Sequence, residues 1–375
     1  MSQSKFKKSS LLAGTALVAA GVMTAGTASA DGHAKVVSSG TDKTTMKIAG
    51  HVSRQVTILD DGRTAVRHSD SDFSSSRLVI TAAGKVNSSL KVGTKIETAF
   101  DDARNAPAVH DAENGGRSGN DVQTRKAEIY LTHSSMGKVS IGAGDMASNG
   151  VSETNLLNYT MLPGQVGLAN NGAFRDANGT AQADVRDVIG QSDGLGRSTR
   201  IRYDTPNVAG FVASVSHEDN QAWDVALRYG GKFAGTKIKA AGSWANDSTV
   251  EFLSAGIALQ HSSGIGAGYG LEHANNEARS DTRFEDFFQQ HASLSYTGKF
   301  SEMGKSQLVY EYIHADNKTT NNDTAYSHSV GFHQKVDAAA MEIAVRYSHI
   351  TLDRDGQTFD NDNVNSLGIH TRVKF

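Results

Sequence analysis

Cysteine is absent from this 375-residue chain, and proline occurs only at Pro107, Pro163 and Pro206. Without cysteine the chain has no disulfide framework, no thiolate chemistry and no cysteine to carry a lipid anchor. The few prolines and the even spread of 38 glycines mark no linker between domains. The net charge of −3 is weak and gives no reason to expect a nucleic-acid partner.

Long apolar runs are missing except near the N-terminus, where Lys5, Lys7 and Lys8 precede an apolar stretch at residues 11–23. The small residues at 28–30 follow it. This order predicts a secretory signal peptide, residues 1–30, with cleavage after Ala30 and a mature domain over residues 31–375. The alternative is an N-terminal membrane anchor, but the run is shorter than the roughly 20 residues that a membrane helix needs.

Short segments of alternating polarity fill the mature chain. Residues 90–101 show this most clearly, because the even positions read Leu, Val, Thr, Ile, Thr and Phe while the odd positions read Lys, Gly, Lys, Glu, Ala and Asp. Alternate residues of a strand lie on opposite faces. A face with four charged residues cannot pack in a core without partners, so we expect it to contact water.

Sixteen such segments are present, and each has about the length that a tilted strand needs to cross a bilayer. They lie near residues 45–60, 73–84, 88–101, 122–134, 137–147, 197–206, 208–218, 221–231, 234–246, 249–262, 264–276, 286–299, 305–317, 324–336, 338–353 and 362–375.

The links between these segments alternate in length. Every even link is short, whereas the odd links include all the long ones, at residues 61–72, 102–121, 148–196, 275–285 and 354–361. An even strand number with both termini at the short-turn end is typical of a bacterial transmembrane barrel. We therefore predict an all-β fold, a 16-stranded antiparallel transmembrane β-barrel whose last strand pairs with the first.

Other all-β folds fit the sequence less well. A soluble secreted β-protein of this length needs thoroughly apolar core strands, but the hydrophobic content is only 38%. A β-helix or an adhesin of repeats would show a fixed period of 20 to 50 residues, and we find none. A nonconducting structural or adhesive barrel in the outer membrane remains an alternative.

Four features resemble the general-diffusion porins of Gram-negative outer membranes. They are the signal peptide, the first-strand stretch at residues 47–56 running into residues 60–62, the Ser-Ser-Ser-Arg sequence at residues 74–77 where the second strand begins, and the terminal Phe375. The resemblance implies a homotrimer of 16-stranded barrels in the bacterial outer membrane, in contact with its lipid and lipopolysaccharide. It also implies passive diffusion of ions and small hydrophilic solutes, and a third extracellular loop that folds inward.

The third odd link, roughly residues 147–196, is the longest link and occupies the position of that inward loop. By resemblance, its acidic residues would form one side of a charged constriction; they are Glu153, Asp176, Asp184, Asp187 and Asp193. A solvated, disordered loop is the alternative.

The strand alternation itself predicts a basic wall that faces the lumen. Its members, from four strands of the N-terminal half, are Arg77, Lys91, Lys95, Arg125, Arg200 and Arg202. Fixed charges across a narrow passage act strongly on the solutes that enter it. Alternatively, each arginine pairs with a lumen carboxylate such as Glu97 or Glu128, and both descriptions are compatible.

Two arginines do not fit the alternation. Arg125 shares its phase with Ala127 and Ile129, and Arg54 shares its phase with Val52 and Val56. The resemblance favours an inward Arg54, whereas the alternation places it outward unless a bulge shifts the phase.

The sequence gives little support for an enzymatic function. The 14 histidines are scattered, and no HExxH or GxSxG motif and no phosphate-binding glycine loop is present, so we expect no enzyme. A barrel hydrolase would have to use a histidine such as His217, His261 or His273. We expect no cofactor, although the last long loop holds oxygen ligands that suit a divalent cation such as calcium, namely Asp353, Asp355, Asp360 and Asp362.

The lumen phase offers no track of aromatic rings of the kind a sugar-specific channel uses, which favours general diffusion over a substrate-selective channel. The sequence leaves the choice between cation and anion selectivity open, because loop acids and wall bases nearly balance.

Overall fold

The computed structural model describes residues 35–38, 44–101, 121–157, 163–170, 172–219, 221–275, 286–318, 320–355, 359 and 363–375. The first ten strands of this part are β1 (Lys35–Ser38), β2 (Thr44–Asp60), β3 (Thr64–Asp70), β4 (Ser76–Lys85), β5 (Leu90–Asp101), β6 (Asp121–His133), β7 (Gly137–Asp145), β8 (Ala173–Arg175), β9 (Ala181–Asp184) and β10 (Arg197–Asp204). The other ten are β11 (Phe211–Glu218), β12 (Trp223–Phe233), β13 (Thr236–Asn246), β14 (Glu251–His261), β15 (Ile265–Asn275), β16 (Phe287–Ser301), β17 (Gly304–Asp316), β18 (Asp323–Val336), β19 (Met341–Arg354) and β20 (Asn363–Lys374). A single helical turn, α1 (Val185–Val188), follows β9. The predicted signal peptide lies outside the described residues.

All the described strands except β8 and β9 form one closed antiparallel sheet. From β4 onward each barrel strand pairs with the next, β7 pairing with β10 across the longest link. The last strand, β20, pairs with β2 from His51↔Lys374 to Asp60↔Asn365 and closes the sheet. Closure pairs every barrel strand of the described chain with a neighbour on each side, and so avoids the open edge that a lipid environment would not tolerate.

Twenty strands fill only sixteen positions around the barrel. Both β3 and β4 pair with successive parts of β2, so they form one interrupted strand position. The short β1 pairs with residues 45–48 of β2, beyond the end of β20, and extends that position. The β8–β9 hairpin lies outside the main sheet. The predicted 16-stranded antiparallel barrel is confirmed.

Burial in the barrel is reversed relative to a soluble protein. In β2, Val52 and Val56 are 53% and 48% exposed, whereas Ser53 and Gln55 are 0% and 3% exposed. The same alternation continues in the other strands, with apolar side chains outward and polar ones inward. An outward apolar band around a polar interior is the arrangement that lipid on one side and water on the other require. Among the described residues, no helix is long and apolar enough to cross a membrane.

A conventional apolar cluster forms at the long-loop end of the barrel. The wall residues Leu59, Ile313 and Val364 pack there against Val166 and Phe174 of the longest loop. Burying these side chains removes apolar surface from water at roughly 25 cal/mol per Å² and fixes that end of the loop to the wall.

The predicted strand boundaries agree with the structure to within a few residues, with one clear correction. Residues 61–72 were expected to form the first long link, but β2 and β3 form a hairpin around a tight turn at residues 61–63. Gly62 has a φ of 91°, a conformation that glycine adopts without strain. The break in the sheet comes later, at residues 71–75, which are all buried.

A bulge resolves the phase of Arg125. The pairing of β5 with β6 shifts between Glu97↔Lys126 and Thr98↔Thr124, so Arg125 is the extra residue on β6. A β-bulge re-aims side chains locally. Arg125 and Lys126 both carry buried side chains, and both contact carboxylates of the inward phase.

Candidate functional site: the lumen and its long loop

The longest loop, residues 146–196, lies inside the barrel. Its backbone N–H groups donate hydrogen bonds to inward-phase side chains on separate strands: Ala147 to Asp224 Oδ1 (3.1 Å), Gly190 to Gln289 Oε1 (3.2 Å) and Gly194 to Glu272 Oε2 (2.9 Å). Gly164 donates to Glu311 in the same way. The loop therefore crosses from β12 past β15 and β16 to β17 and occupies part of the lumen.

Two wall glycines allow the loop to approach closely. A Cβ atom on Gly270 would lie 2.0 Å from the carbonyl oxygen of Ser152, and one on Gly256 would lie 2.5 Å from that of Val151. Any side chain at these positions would displace the loop backbone. The absence of a side chain at these points of β14 and β15 thus shapes the lumen.

A second inward segment supports the long loop. Residues 71–75, between β3 and β4, are buried. The ring of Phe73 packs against Gly167 of the long loop so closely that a Cβ atom on Gly167 would lie 2.5 Å from the ring. The Arg346 guanidinium stands 5.4 Å from the centre of the same ring. Arg346 also donates to the Gln165 carbonyl oxygen at 3.1 Å and to Glu311 at 3.0 Å. The sequence predicted that residues 73–75 belong to the second strand, whereas in the structure that strand begins at Ser76.

Three members of the predicted basic wall surround one carboxylate. Glu97 Oε1 accepts from Arg125 Nε at 2.9 Å and lies 3.6 Å from Arg77 Nη1, while its Oε2 lies 3.1 Å from Lys95 Nζ. Glu97 is 2% exposed, so the group is largely removed from bulk water. Three cations around one carboxylate leave this part of the wall positive.

The other predicted wall residues are more dispersed. Arg200 pairs with Glu128 on β6, and Arg202 contacts Asp204 at 2.7 Å. Lys91 is exposed near the short-turn end of β5, away from the Glu97 group. The structure thus combines both descriptions given by the sequence, because the wall is basic and its buried arginines pair with lumen carboxylates.

Sequence reasoning missed several lumen pairs. Lys126 pairs with Asp145. Arg372 donates to Glu342, and Lys374 Nζ lies 2.8 Å from the same carboxyl group. The polar phase of β19 and β20 contained Arg346 and Arg372, which was the available signal. Their partners come from neighbouring strands or from the loop and needed the barrel register to be found.

The predicted acidic side of the constriction does not assemble as one group. Glu153 is 4% exposed and accepts a hydrogen bond from Gln165 at 2.6 Å. Burial and the neighbouring Asp193 raise the pKa of Glu153, and burial also raises the pKa of Asp193. These two carboxyl groups contact each other. They lie on the side of the loop that faces β15, since Gly194, next to Asp193, donates a hydrogen bond to Glu272 of β15.

The three other predicted acids lie on the part of the loop near the β8–β9 hairpin. Asp176 accepts from the backbone N–H groups of Asn178 and Thr180, both at 2.9 Å, and so stabilises the hairpin turn. Asp184 pairs with Arg186 at 2.9 Å. Asp187 is exposed, and its negative charge attracts the nearby ammonium group of Lys318. Their distribution differs from a single acidic face opposite the basic wall.

Arg54 follows the alternation and not the resemblance. It is exposed in the outward phase with Val52 and Val56, and it pairs in register with Asp70 of β3. No bulge intervenes along this part of β2.

The last long loop is only partly described. Asp353 and Asp355 line a cleft of about 370 Å³ with Asp286 and Asp316, whereas Asp360 and Asp362 lie outside the described residues. Within the described part of the chain, no group of three or more His, Asp or Glu residues is arranged to hold a metal ion.

Known proteins resemble the chain at the level of family and fold. A family model described as Gram-negative porin matches residues 13–370. OmpT, an outer membrane protein of Vibrio cholerae, is 16% identical with a TM-score of 0.59, covering 91% of this chain and 100% of its own. An anion-selective porin from Comamonas acidovorans is 12% identical with a TM-score of 0.61, covering 89% and 100%. OprB of Pseudomonas putida is 9% identical with a TM-score of 0.61, covering 89% and 94%. No curated protein sequence matches the chain.

Proposed function

Because this chain belongs to the Gram-negative porin family and is an outer-membrane channel, we propose that it mediates passive diffusion of ions and small hydrophilic solutes. The observation that carries this proposal is the 146–196 loop, held inside a closed barrel by backbone hydrogen bonds to inward side chains of β12, β15, β16 and β17. A loop in this position narrows the lumen without an added plug domain. The proposed transport involves no chemical step.

The basic wall supports a charged constriction. Arg77, Lys95 and Arg125 gather around Glu97 on β4 to β6, whereas the loop carboxyls Glu153 and Asp193 turn toward β15. A positive wall in a passage with low-dielectric surroundings acts on every ion that enters. Solutes with a carboxylate or phosphate group should therefore pass this wall more readily than cations of equal size.

We also propose that the chain assembles as a homotrimer. One of the solved structures similar to it is a trimer form of OmpT from Vibrio cholerae, 17% identical with a TM-score of 0.59 over 89% of this chain. Cross-linking of the protein in outer-membrane vesicles, followed by unheated gel electrophoresis, should give a species of three chains. A monomer under the same conditions would overturn this part of the proposal.

Liposome swelling tests the diffusion proposal. Vesicles containing the refolded protein are diluted into isotonic solutions of neutral sugars of rising mass, and swelling should slow steadily as the sugar becomes larger. A single sugar that enters far faster than a smaller one would indicate a substrate-selective channel. Intact incorporation without swelling would indicate a nonconducting structural or adhesive barrel.

A further inference from the structure

Lysines line the lumen at the short-turn end of the barrel. Lys85 and Lys91 lie directly opposite each other on β4 and β5, beside the first short turn. Lys232 and Lys237 lie directly opposite each other on β12 and β13, beside the turn at residues 234–235. Lys239 follows Lys237 in the same phase. These five residues are named the lysine vestibule.

The strand phase places the lysine vestibule inside the barrel. Lys91 shares its phase with the buried Glu97 of β5, and Lys237 shares its phase with Ser243, which is 7% exposed in the barrel interior. The opposite phase of these two strands carries the outward side chains Ile96 and Trp244. All five lysines are themselves exposed, so their ammonium groups are accessible from the water in the lumen.

Sheet stability does not explain these lysines. Like charges directly opposite each other on neighbouring strands are destabilising. None of the five has an ion-pair or hydrogen-bond partner among the described residues. The positive charge is therefore kept at a cost to the fold, which points to a role in binding.

One cleft at the opposite end of the barrel is acidic. The cleft at the ends of β16 to β19 is lined by Asp286, Asp316, Asp353 and Asp355. In a barrel of this family the short turns face the periplasm and the long loops face outward. The lysine vestibule thus lies at the periplasmic end of the lumen, away from this acidic cleft.

We propose that each like-charged pair of the lysine vestibule is a binding site for a small multivalent anion that reaches the channel from the periplasmic side, such as a phosphorylated or polycarboxylate solute. Directly opposed residues of an antiparallel pair have Cβ atoms about 5 Å apart, so two ammonium groups converge on one phosphate or on neighbouring carboxylates. Low-dielectric barrel walls concentrate this field. The proposal rests on the proposed function, because the anion must meet an open channel.

Side-specific block of single-channel current tests this proposal. The current is recorded in dilute potassium chloride while inorganic tripolyphosphate is added to one chamber and then to the other. The chain contains no cysteine, so Ser263→Cys in the exposed turn after β14 can carry biotin. Streptavidin then identifies the chamber that faces the short turns. We expect tripolyphosphate to block from that chamber at a concentration at least about tenfold lower than from the other.

The double variants Lys85→Gln/Lys91→Gln and Lys232→Gln/Lys237→Gln should each weaken this block several-fold without closing the channel. Each double variant removes a repulsive pair, so its folding is not at risk. Lys299→Gln is the matched control, because this lysine is already paired with Glu302 at an exposed short turn, and it should leave the block nearly unchanged. Equal block from both chambers, or block that survives both double variants together, would overturn the proposal. A protein with no current at all would overturn the proposed function instead.

Discussion

At the scale of single residues, the charge of the wall depends on Glu97. This carboxylate is within 3.6 Å of Arg77, Lys95 and Arg125, which come from three successive strands. The alternation of the sequence predicted Arg77, Lys95 and Glu97 to face inward, but it placed Arg125 in the apolar phase, because the bulge that turns Arg125 inward leaves no signal in the sequence. For Arg54 the alternation was sufficient: it predicted the outward position that the structure shows, whereas the resemblance favoured an inward one.

Replacing Glu97 with Gln should make the channel more selective for anions. The substitution removes the one carboxylate among three cations, so the reversal potential under a salt gradient should move toward that of chloride. It should also lower the free energy of unfolding in urea by roughly 3 kcal/mol, since the buried arginine side chains lose a charged partner. Glu302→Gln, at an exposed short turn, should change neither quantity, and an unchanged reversal potential in Glu97→Gln would contradict this role.

The raised pKa of Glu153 predicts a pH-dependent loop anchor. A carboxyl group whose pKa is higher in the folded state binds a proton more tightly there, so its contribution to stability is fully present at low pH. That contribution is lost as the pH rises from the ordinary carboxyl range through the raised pKa. Hydrogen exchange of the loop amides, corrected for intrinsic rates, should therefore show stronger protection at pH 5 than at pH 8.

The variant Glu153→Gln provides the control for this pH effect. Its side-chain carbonyl can still accept the hydrogen bond from Gln165, but it carries no charge at any pH. Protection of the loop should then be nearly independent of pH between 5 and 8. The same pH dependence in the variant and the parent would assign the effect to another group.

At the scale of elements, the long loop and the strands that hold it were predicted to different degrees. The alternation of short and long links between strands predicted the length and position of the 146–196 loop. It could not predict the contacts of this loop, because they join residues far apart in sequence, such as Gly164 and Glu311. The β2–β3 hairpin was missed since Gly62 and the short polar run after it indicate a loop equally well. The β8–β9 hairpin and α1 have too few residues to show a period.

Gly270→Ala should release the long loop from the wall without unfolding the barrel. A Cβ at this position would lie 2.0 Å from the Ser152 carbonyl oxygen, which belongs to the loop backbone. We expect faster limited proteolysis within residues 146–196 and noisier single-channel current. Gly242→Ala is the matched control, because a Cβ there has no heavy atom within 4 Å. Equal proteolysis of the two variants would show that close approach at Gly270 does not hold the loop.

At the scale of the whole molecule, Phe375 takes part in the closure of the barrel. Phe375 exchanges two backbone hydrogen bonds of 3.0 Å with Gly50, and its ring covers the space where a Gly50 side chain would be. The alternation of the final segment up to Phe375 predicted this closure. The extension of the same position by β1 was not predicted, because four residues are too short to recognise.

Deleting Phe375 should weaken closure of the barrel. Two backbone hydrogen bonds are lost, each worth about 1 kcal/mol, together with the ring contact. We expect the free energy of unfolding of the refolded protein to fall by roughly 2 to 3 kcal/mol in urea. Phe375→Ala keeps the backbone hydrogen bonds and should lose less, so an equal loss in the two variants would contradict this assignment.

The central claim is that the barrel is an open channel narrowed by its own loop. Single-channel recording of the detergent-purified protein in a planar bilayer measures this directly. We expect stepwise openings in groups of three. Under a salt gradient, the sign of the reversal potential should show that the channel prefers chloride to potassium, as the basic wall predicts. Protein that inserts into the bilayer and stays electrically silent would contradict the claim.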